Sequence, residues 1–122
     1  MDDGRVWAFE ESLWTEGEEN YRAKIDPACL MALPAEPFLF DSEAAIRAVS
    51  NTPRWSHVRF EGQRVGRPEE GLIVIAYTVH AERGGEHYTA HCSTTMRRLG
   101  HDDWKVVQHS QSIAPVVTAL KG

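Results

Sequence analysis

Two long strand-like segments joined by a tight turn constrain the fold of this chain more than any other feature. Residues 71–82, GLIVIAYTVHAE, and residues 86–98, EHYTAHCSTTMRR, are separated by Gly84 and Gly85. Two glycines between such segments are typical of a two-residue β-hairpin loop. The loop predicts three cross-strand pairs, namely Arg83 with Glu86, Val79 with Ala90, and Tyr77 with Cys92.

This register gives the hairpin two faces of different polarity. The first face is mostly apolar and consists of Ile73, Ile75, Tyr77, Val79, Tyr88, Ala90, Cys92, Thr94 and Met96. We expect it to pack beneath helices, because an antiparallel sheet buries its apolar face. The second face is small and polar and consists of Ala76, Thr78, His80, Thr89, His91, Ser93 and Thr95. It is expected either to face solvent or to form the contact surface of a homodimer.

Helical patterns precede this hairpin. Residues 3–16 place Val6, Phe9 and Leu13 on one stripe, with Asp3 as a possible N-cap and Gly17 as a stop. A short second helix is expected over residues 18–24, a strand over 28–34 and a third helix over 40–51. Strands are expected over residues 55–65, 71–82, 86–98 and 104–117. Helices followed by a meander of strands predict an α+β fold with helices on one face of a curved antiparallel sheet.

Length, composition and charge exclude several classes of protein. The 122 residues fit one domain, 1–122, and the net charge of −5 offers no basic surface for nucleic acid. No apolar run is long enough to span a bilayer, and the acidic segment MDDGRVWAFEES does not resemble a signal peptide. We therefore expect a cytoplasmic protein in which Cys29 and Cys92 are buried and reduced.

The last predicted strand carries an unusual run of polar residues, Gln108-His109-Ser110-Gln111-Ser112. Buried polar groups need hydrogen-bond partners or a ligand, so the orientation of this run matters. The pattern alone allows two registers. One points Trp104, Val106, Gln108 and Ser110 towards the helices, and the other points Val107, His109, Gln111 and Ile113 there.

Several segments together resemble the nuclear transport factor 2-like superfamily, within it the SnoaL-like branch of small proteins of unknown function. The segments are FEESLW, NYRAKIDPACLMALP, SEAAIRAV and YTAHCSTTMRR followed by DDWKVVQHSQS, and they extend from about Val6 to Ser112. The resemblance implies a cone-shaped, nuclear transport factor 2-like (cystatin-like) fold, in which a strongly curved sheet wraps about three N-terminal helices around a pocket. It also implies a homodimer formed through sheet faces.

The resemblance says little about chemistry, because this fold supports isomerases, dehydratases, cyclases, hydrolases and binding proteins. Ketosteroid isomerases of this fold use a carboxylate base and an oxyanion hole. By alignment the base position falls on Leu33, the oxyanion position on Thr94 and a pocket aromatic on Gln111. Leucine cannot abstract a proton, so the known isomerase mechanism is not supported. The alignment does favour the register that turns His109 and Gln111 inwards.

His109 is the predicted catalytic residue, since a neutral imidazole can act as a general base; the alternative is a core histidine that is hydrogen-bonded internally. The predicted ligand-binding residues are Trp14, Tyr21, Tyr77, Cys92, Thr94 and Gln111. Glu10 and Glu11 flank the buried stripe of the first helix. One of them could reach the pocket mouth, but we favour a solvated acidic face.

No metal or other cofactor is expected. The six histidines contain no helical metal-binding pair, and His87 and His91 would lie about 13 Å apart on a strand, at roughly 3.3 Å per residue.

The leading hypothesis is a protein that binds a small, partly apolar molecule. The alternatives are a proton-transfer enzyme (an isomerase, dehydratase or cyclase) that uses His109 as base, and a non-catalytic dimerisation or interaction module.

Overall fold

A computed structural model, of which residues 1–113 are described, contains the predicted three helices and five strands in the predicted order. It also contains a short strand, Leu39–Asp41, which the sequence did not predict and which overlaps the predicted start of the third helix. The helices are α1 (Asp3–Thr15), α2 (Glu18–Lys24) and α3 (Ser42–Ser50). The strands are β1 (Ile25–Ala32), β2 (Leu39–Asp41), β3 (His57–Glu69), β4 (Leu72–Arg83), β5 (Glu86–Gly100) and β6 (Asp103–Ile113). The predicted extension of the last strand to residue 117 lies outside the described residues. None of the helices in residues 1–113 is long and apolar enough to span a membrane.

Short polar side chains begin two of the helices. Asp2, rather than the predicted Asp3, caps α1, and its Oδ1 accepts a 2.8 Å hydrogen bond from the Arg5 amide. Asp41 caps α3 in the same way and accepts 2.9 Å from the Ala44 amide. Each carboxylate satisfies an amide that has no partner inside its own helix, which fixes where the helix starts.

The six strands form one sheet in the order β2-β1-β6-β5-β4-β3. All neighbouring strands are antiparallel except β1 and β6, which are parallel. The sheet is therefore mixed, whereas the sequence predicted a purely antiparallel one. The cause is the chain path: after α3 the chain enters at the far edge as β3, and three hairpin-connected strands later β6 arrives beside β1 in the same direction.

The central hairpin has the predicted register, with Arg83 opposite Glu86, Val79 opposite Ala90 and Tyr77 opposite Cys92. Gly84 and Gly85 have φ angles of 48° and 82°, a backbone conformation that only glycine adopts without strain. The apolar face of the hairpin is buried against the helices, as predicted. The small polar face lies on the outside of the sheet.

The last strand changes register at its middle. Met96 pairs with Val106, but Thr95 pairs with Gln108, so Val107 is an extra residue that forms a β-bulge. Because of the bulge, Trp104 and Val106 point inwards before it, and His109 points inwards after it. Each of the two predicted registers therefore describes one half of β6, and the predicted inward orientation of His109 is confirmed.

Candidate functional site

A cavity of about 360 Å³ lies between the helices and the inner face of the sheet. Its walls are mainly aliphatic and aromatic. The aromatic lining residues are Trp14, Tyr21, Trp55 and Tyr88, and the polar or charged ones include Glu10, Arg54, Arg83, Glu86, His109 and Gln111. Ligand sites of soluble proteins commonly have this combination of an apolar wall and a few convergent polar groups.

Glu10 reaches the cavity from the buried stripe of α1. Val6, Leu13 and Trp14 are buried on the same stripe, and Glu10 occupies the helical position four residues after Val6. Its side chain is 0% exposed. The expectation that Glu10 belongs to a solvated acidic face is therefore wrong, while its neighbour Glu11 is exposed as expected.

One oxygen of the Glu10 carboxyl is bonded and the other is not. Oε2 accepts hydrogen bonds from the Tyr77 hydroxyl and, at 2.7 Å, from the Thr94 hydroxyl. Oε1 is buried and has no hydrogen-bond partner within residues 1–113. Burial raises the pKa of Glu10 from 4.5 to about 7, although the bonds from Tyr77 and Thr94 act in the opposite direction.

A chain of hydrogen bonds connects Glu10 with Tyr88 on the cavity wall. Thr94 Oγ1 lies 2.7 Å from His109 Nδ1, and Gln111 Nε2 lies 3.0 Å from His109 Nε2. The Tyr88 hydroxyl donates to Gln111 Oε1 over 2.7 Å. The two inward-facing polar residues of β6, His109 and Gln111, are thus hydrogen-bonded to each other.

The same network determines the tautomer of His109. Thr94 has one hydroxyl proton, which it donates to Glu10, so Nδ1 of His109 must carry the proton that Thr94 accepts. Nε2 is then the acceptor for the Gln111 amide. Burial lowers the pKa of His109 from 6.5 to about 4, so the imidazole is neutral near pH 7.

The predicted site residues separate into two groups. Trp14, Tyr21, His109 and Gln111 line the cavity. Tyr77, Cys92 and Thr94 are buried behind it, where Tyr77 and Thr94 hold Glu10 instead of forming the wall. A role for any of them in ligand binding remains a prediction.

Most of the lining residues were not among the predicted site residues, and Glu10, Arg54, Trp55 and Tyr88 are the ones most relevant to binding. Glu10 could have been found, because Val6, Leu13 and Trp14 recur at the spacing of a buried helical stripe and Glu10 lies within it. Arg54 and Trp55 could not, since they lie in the irregular segment between α3 and β3.

The described residues offer no evident metal or thiol chemistry. No group of three or more histidine, cysteine, aspartate or glutamate side chains within residues 1–113 could hold a metal ion. Cys29 and Cys92 are free and buried, and burial raises the pKa of each thiol to about 12. Both thiols are therefore protonated and unreactive near neutral pH.

Comparison with known proteins gives information about the fold only. No family model matches the chain, and no curated protein matches it. Among solved structures, a candidate ketosteroid isomerase from Parabacteroides distasonis is similar with a TM-score of 0.80 and 14% identity, covering 93% of this chain and 89% of that one.

Two further similar structures extend the comparison. A nuclear transport factor 2-like protein from Cytophaga hutchinsonii has a TM-score of 0.75 and 14% identity, with 93% and 98% of the two chains covered. The association domain of the C. elegans kinase CaMKII has a TM-score of 0.71 and 20% identity, with 91% and 92% covered. On this structural evidence the chain has the nuclear transport factor 2-like fold.

Proposed function

We propose that the chain binds a small, partly apolar molecule in this cavity and that Glu10 exchanges a proton with it. The observation that carries the proposal is the unpartnered Oε1 of a fully buried carboxyl group that lines an apolar cavity. A buried acceptor without a partner costs about 1–3 kcal/mol. A ligand that donates a hydrogen bond to Oε1 would recover part of this cost.

The pKa of Glu10 favours proton transfer over simple binding. A general acid or base works best when its pKa is close to the working pH, and that of Glu10 is about 7. The carboxyl group can therefore accept and return a proton within one reaction cycle. Its bonded oxygen is held by Tyr77 and Thr94, which fixes the position of the free oxygen.

His109 has a different role in this proposal from the one predicted from sequence. Both of its ring nitrogens are hydrogen-bonded inside the protein, and its pKa of about 4 makes it a weak base. We assign the proton-accepting role to Glu10 and a positioning role to His109, which holds the Thr94 hydroxyl in its donating orientation.

Proton exchange into a weak carbon acid tests this assignment. We expect the protein to accelerate deuterium incorporation at the α-carbons of cyclohexanone in D2O, measured by proton NMR. Glu10→Gln should lower this rate by at least about a hundredfold, the lower range for general acid–base catalysis. Glu11→Gln, which alters an exposed carboxylate on the same helix, is the matched control. Equal rates for the two variants would contradict the proton-transfer role.

We also infer self-association through the outer face of the sheet. Leu30 and Leu39, on β1 and β2, are 65% and 76% exposed, and the small polar residues of β4 and β5 continue the same surface. Large exposed leucines on a sheet face favour contact with a partner. The similarity to a CaMKII association domain supports this inference, since the name of that protein describes an assembly domain.

A further inference from the structure

We propose that the cavity selects a hydroxyaryl carboxylic acid, with its carboxylate on Arg54, its ring against the aromatic wall and its hydroxyl group on Glu10. This inference rests on the proposed function of the same cavity and specifies its ligand. Three features carry it: an arginine without a carboxylate partner, an aromatic wall, and the presence of Arg54 and Glu10 in one cavity.

Arg54 is a half-buried cation that lines the cavity and lacks a carboxylate partner. Its Nε donates 2.9 Å to the Glu16 carbonyl and its Nη2 donates to the Leu13 carbonyl, both at the end of α1. Within residues 1–113 it forms no ion pair with a carboxylate; its Cζ lies 5.8 Å from the centre of the Tyr21 ring, and Nη1 is not used in the two carbonyl bonds. The guanidinium group is thus held in a fixed position with donors remaining, which suits recognition of a carboxylate.

The second arginine of the cavity has its charge balanced. Arg83 Nε lies 2.8 Å from Glu86 Oε1, and the Arg83 guanidinium stacks 4.0 Å from the centre of the Trp55 ring. Arg83 therefore supports the wall instead of attracting an anion. The net charge of these three groups at the cavity mouth, Arg54, Arg83 and Glu86, is positive in a protein whose overall net charge is −5.

Aromatic rings form part of the wall of the same cavity. Trp55 stacks on Tyr88 with 5.7 Å between ring centres and 15° between planes. Trp14 lies 6.3 Å from Tyr88. Rings of this kind offer faces and edges to an aryl group, and aromatic pairs contribute beyond their buried area.

Both polar groups line the same cavity, whose volume is about 360 Å³. Arg54 is bonded to the carbonyls of Leu13 and Glu16, which follow Glu10 by three and six residues in the chain. A cavity of this size is in the range that takes a small single-ring ligand. A hydroxyl group suits Glu10 because it donates to the ionised carboxyl and accepts from the protonated one.

Calorimetric titration with para-hydroxyphenylacetate tests the inference. We expect it to bind about tenfold or more tightly than its methyl ester and than phenylacetate, because each analogue lacks one of the two hydrogen-bonded ends. Arg54→Gln should remove the preference for the acid over the ester, and Arg54→Lys should restore part of it. Arg59→Gln, at an exposed arginine of β3, is the control and should leave the preference unchanged.

The comparison of ligands within the wild-type protein keeps the test decisive even if Arg54→Gln fails to fold. Equal affinity for the acid and the ester would overturn the carboxylate assignment while leaving the proposed cavity function intact. Failure of all three compounds to bind would overturn the inference. The proposed function would not be affected by that result, because it is tested separately by deuterium exchange into cyclohexanone. If Arg54→Gln and Arg59→Gln both bind the acid as tightly as the wild type does, the acid binds elsewhere on the protein, and the inference is overturned.

Discussion

The inner and outer faces of β5 and β6 both carry polar side chains but use them differently. On the outer face, Ser93 pairs with Ser110 at 2.8 Å and Thr95 pairs with Gln108 at 3.0 Å. These contacts are partly solvated and neutral. On the inner face, Thr94 and His109 belong to a buried network that ends at a carboxyl group. Similar polar residues therefore form ordinary surface hydrogen bonds on the outer face, whereas on the inner face they contact the two groups with shifted pKa values, Glu10 and His109.

Burial accounts for the difference. A hydrogen bond on the outer face can be exchanged for one to water at little cost, whereas an inner-face group that loses its partner stays unsatisfied. Burial on the inner side of the sheet therefore shifts pKa values by a large amount, upward for Glu10 and downward for His109. Four measurements test this difference between the two faces and the burial that causes it.

The largest expected effect is on the pH dependence of stability in Glu10→Gln. The folded-state pKa of Glu10 is raised from 4.5 to about 7. The contribution of the protonated carboxyl group to the free energy of unfolding is therefore fully present below pH 4.5 and is lost as the pH rises through 7. By linkage this amounts to about 3 kcal/mol of unfolding free energy. Glu10→Gln should thus be close to wild type at pH 4.5 and up to about 3 kcal/mol more stable at pH 8, as measured by urea unfolding.

His109 contributes the opposite slope of stability against pH in an overlapping pH window. Its folded-state pKa is lowered from 6.5 to about 4. The contribution of the neutral imidazole to the free energy of unfolding is therefore fully present above pH 6.5 and is lost as the pH falls through 4. In the wild type the two slopes largely cancel between pH 4.5 and 6.5. In Glu10→Gln the His109 slope should appear alone, and a flat profile for that variant would contradict the assigned shifts.

The second prediction compares neighbouring threonines on the two faces. Thr94→Val should lower the unfolding free energy by about 2 kcal/mol or more, because it leaves the His109 Nδ1 proton unsatisfied and removes a donor from Glu10. Thr95→Val removes one partly exposed bond and should cost less than about 0.5 kcal/mol. Equal losses would show that the inner network has no special energetic role.

The third prediction concerns the outer face as a contact surface. We expect sedimentation at micromolar concentration to give a dimer rather than the 13.7 kDa monomer. The double substitution Leu30→Lys and Leu39→Lys should shift the protein to the monomer with little effect on its fold, because both side chains are exposed. Leu99→Lys, at an exposed leucine near the β5–β6 turn, is the control. A monomeric wild type would refute the proposed contact.

The smallest effect is expected at the thiols. Cys29 and Cys92 are 1% and 6% exposed, so thiol reagents should label the native protein slowly and the urea-unfolded protein rapidly. Substitution of either cysteine by alanine should leave cyclohexanone exchange unchanged. Fast labelling of both thiols in the native state would contradict their burial.

The sequence predicted the hairpin and its register well because two adjacent glycines allow few alternatives. It predicted the helix limits within a few residues for the same local reason, since caps and stops are short-range signals. The parallel β1–β6 pair was missed because it joins segments some eighty residues apart along the chain, and no local pattern specifies such a contact.

The candidate site was predicted in part. His109 and Gln111 were expected to face inwards, and the cost of burying them unpaired predicted that they would have hydrogen-bond partners or a ligand. Glu10 was assigned to the surface because most glutamates are solvated, although its helical position already pointed inwards. Arg54 and Trp55 depend on how an irregular segment folds over the end of α1, which neither periodicity nor propensity determines.

The bulge at Val107 affects the shape of the cavity wall but does not decide which side chains of β6 face the cavity. Deleting Val107 would restore a regular alternation along β6 in which Val106 and His109 still face inwards and Gln108 still faces outwards. Such a deletion would straighten the wall while keeping the same side chains on it. The size of the ligand that the cavity accepts could therefore be changed by altering the length of β6, and the polarity of that ligand could be changed separately by substituting the lining side chains.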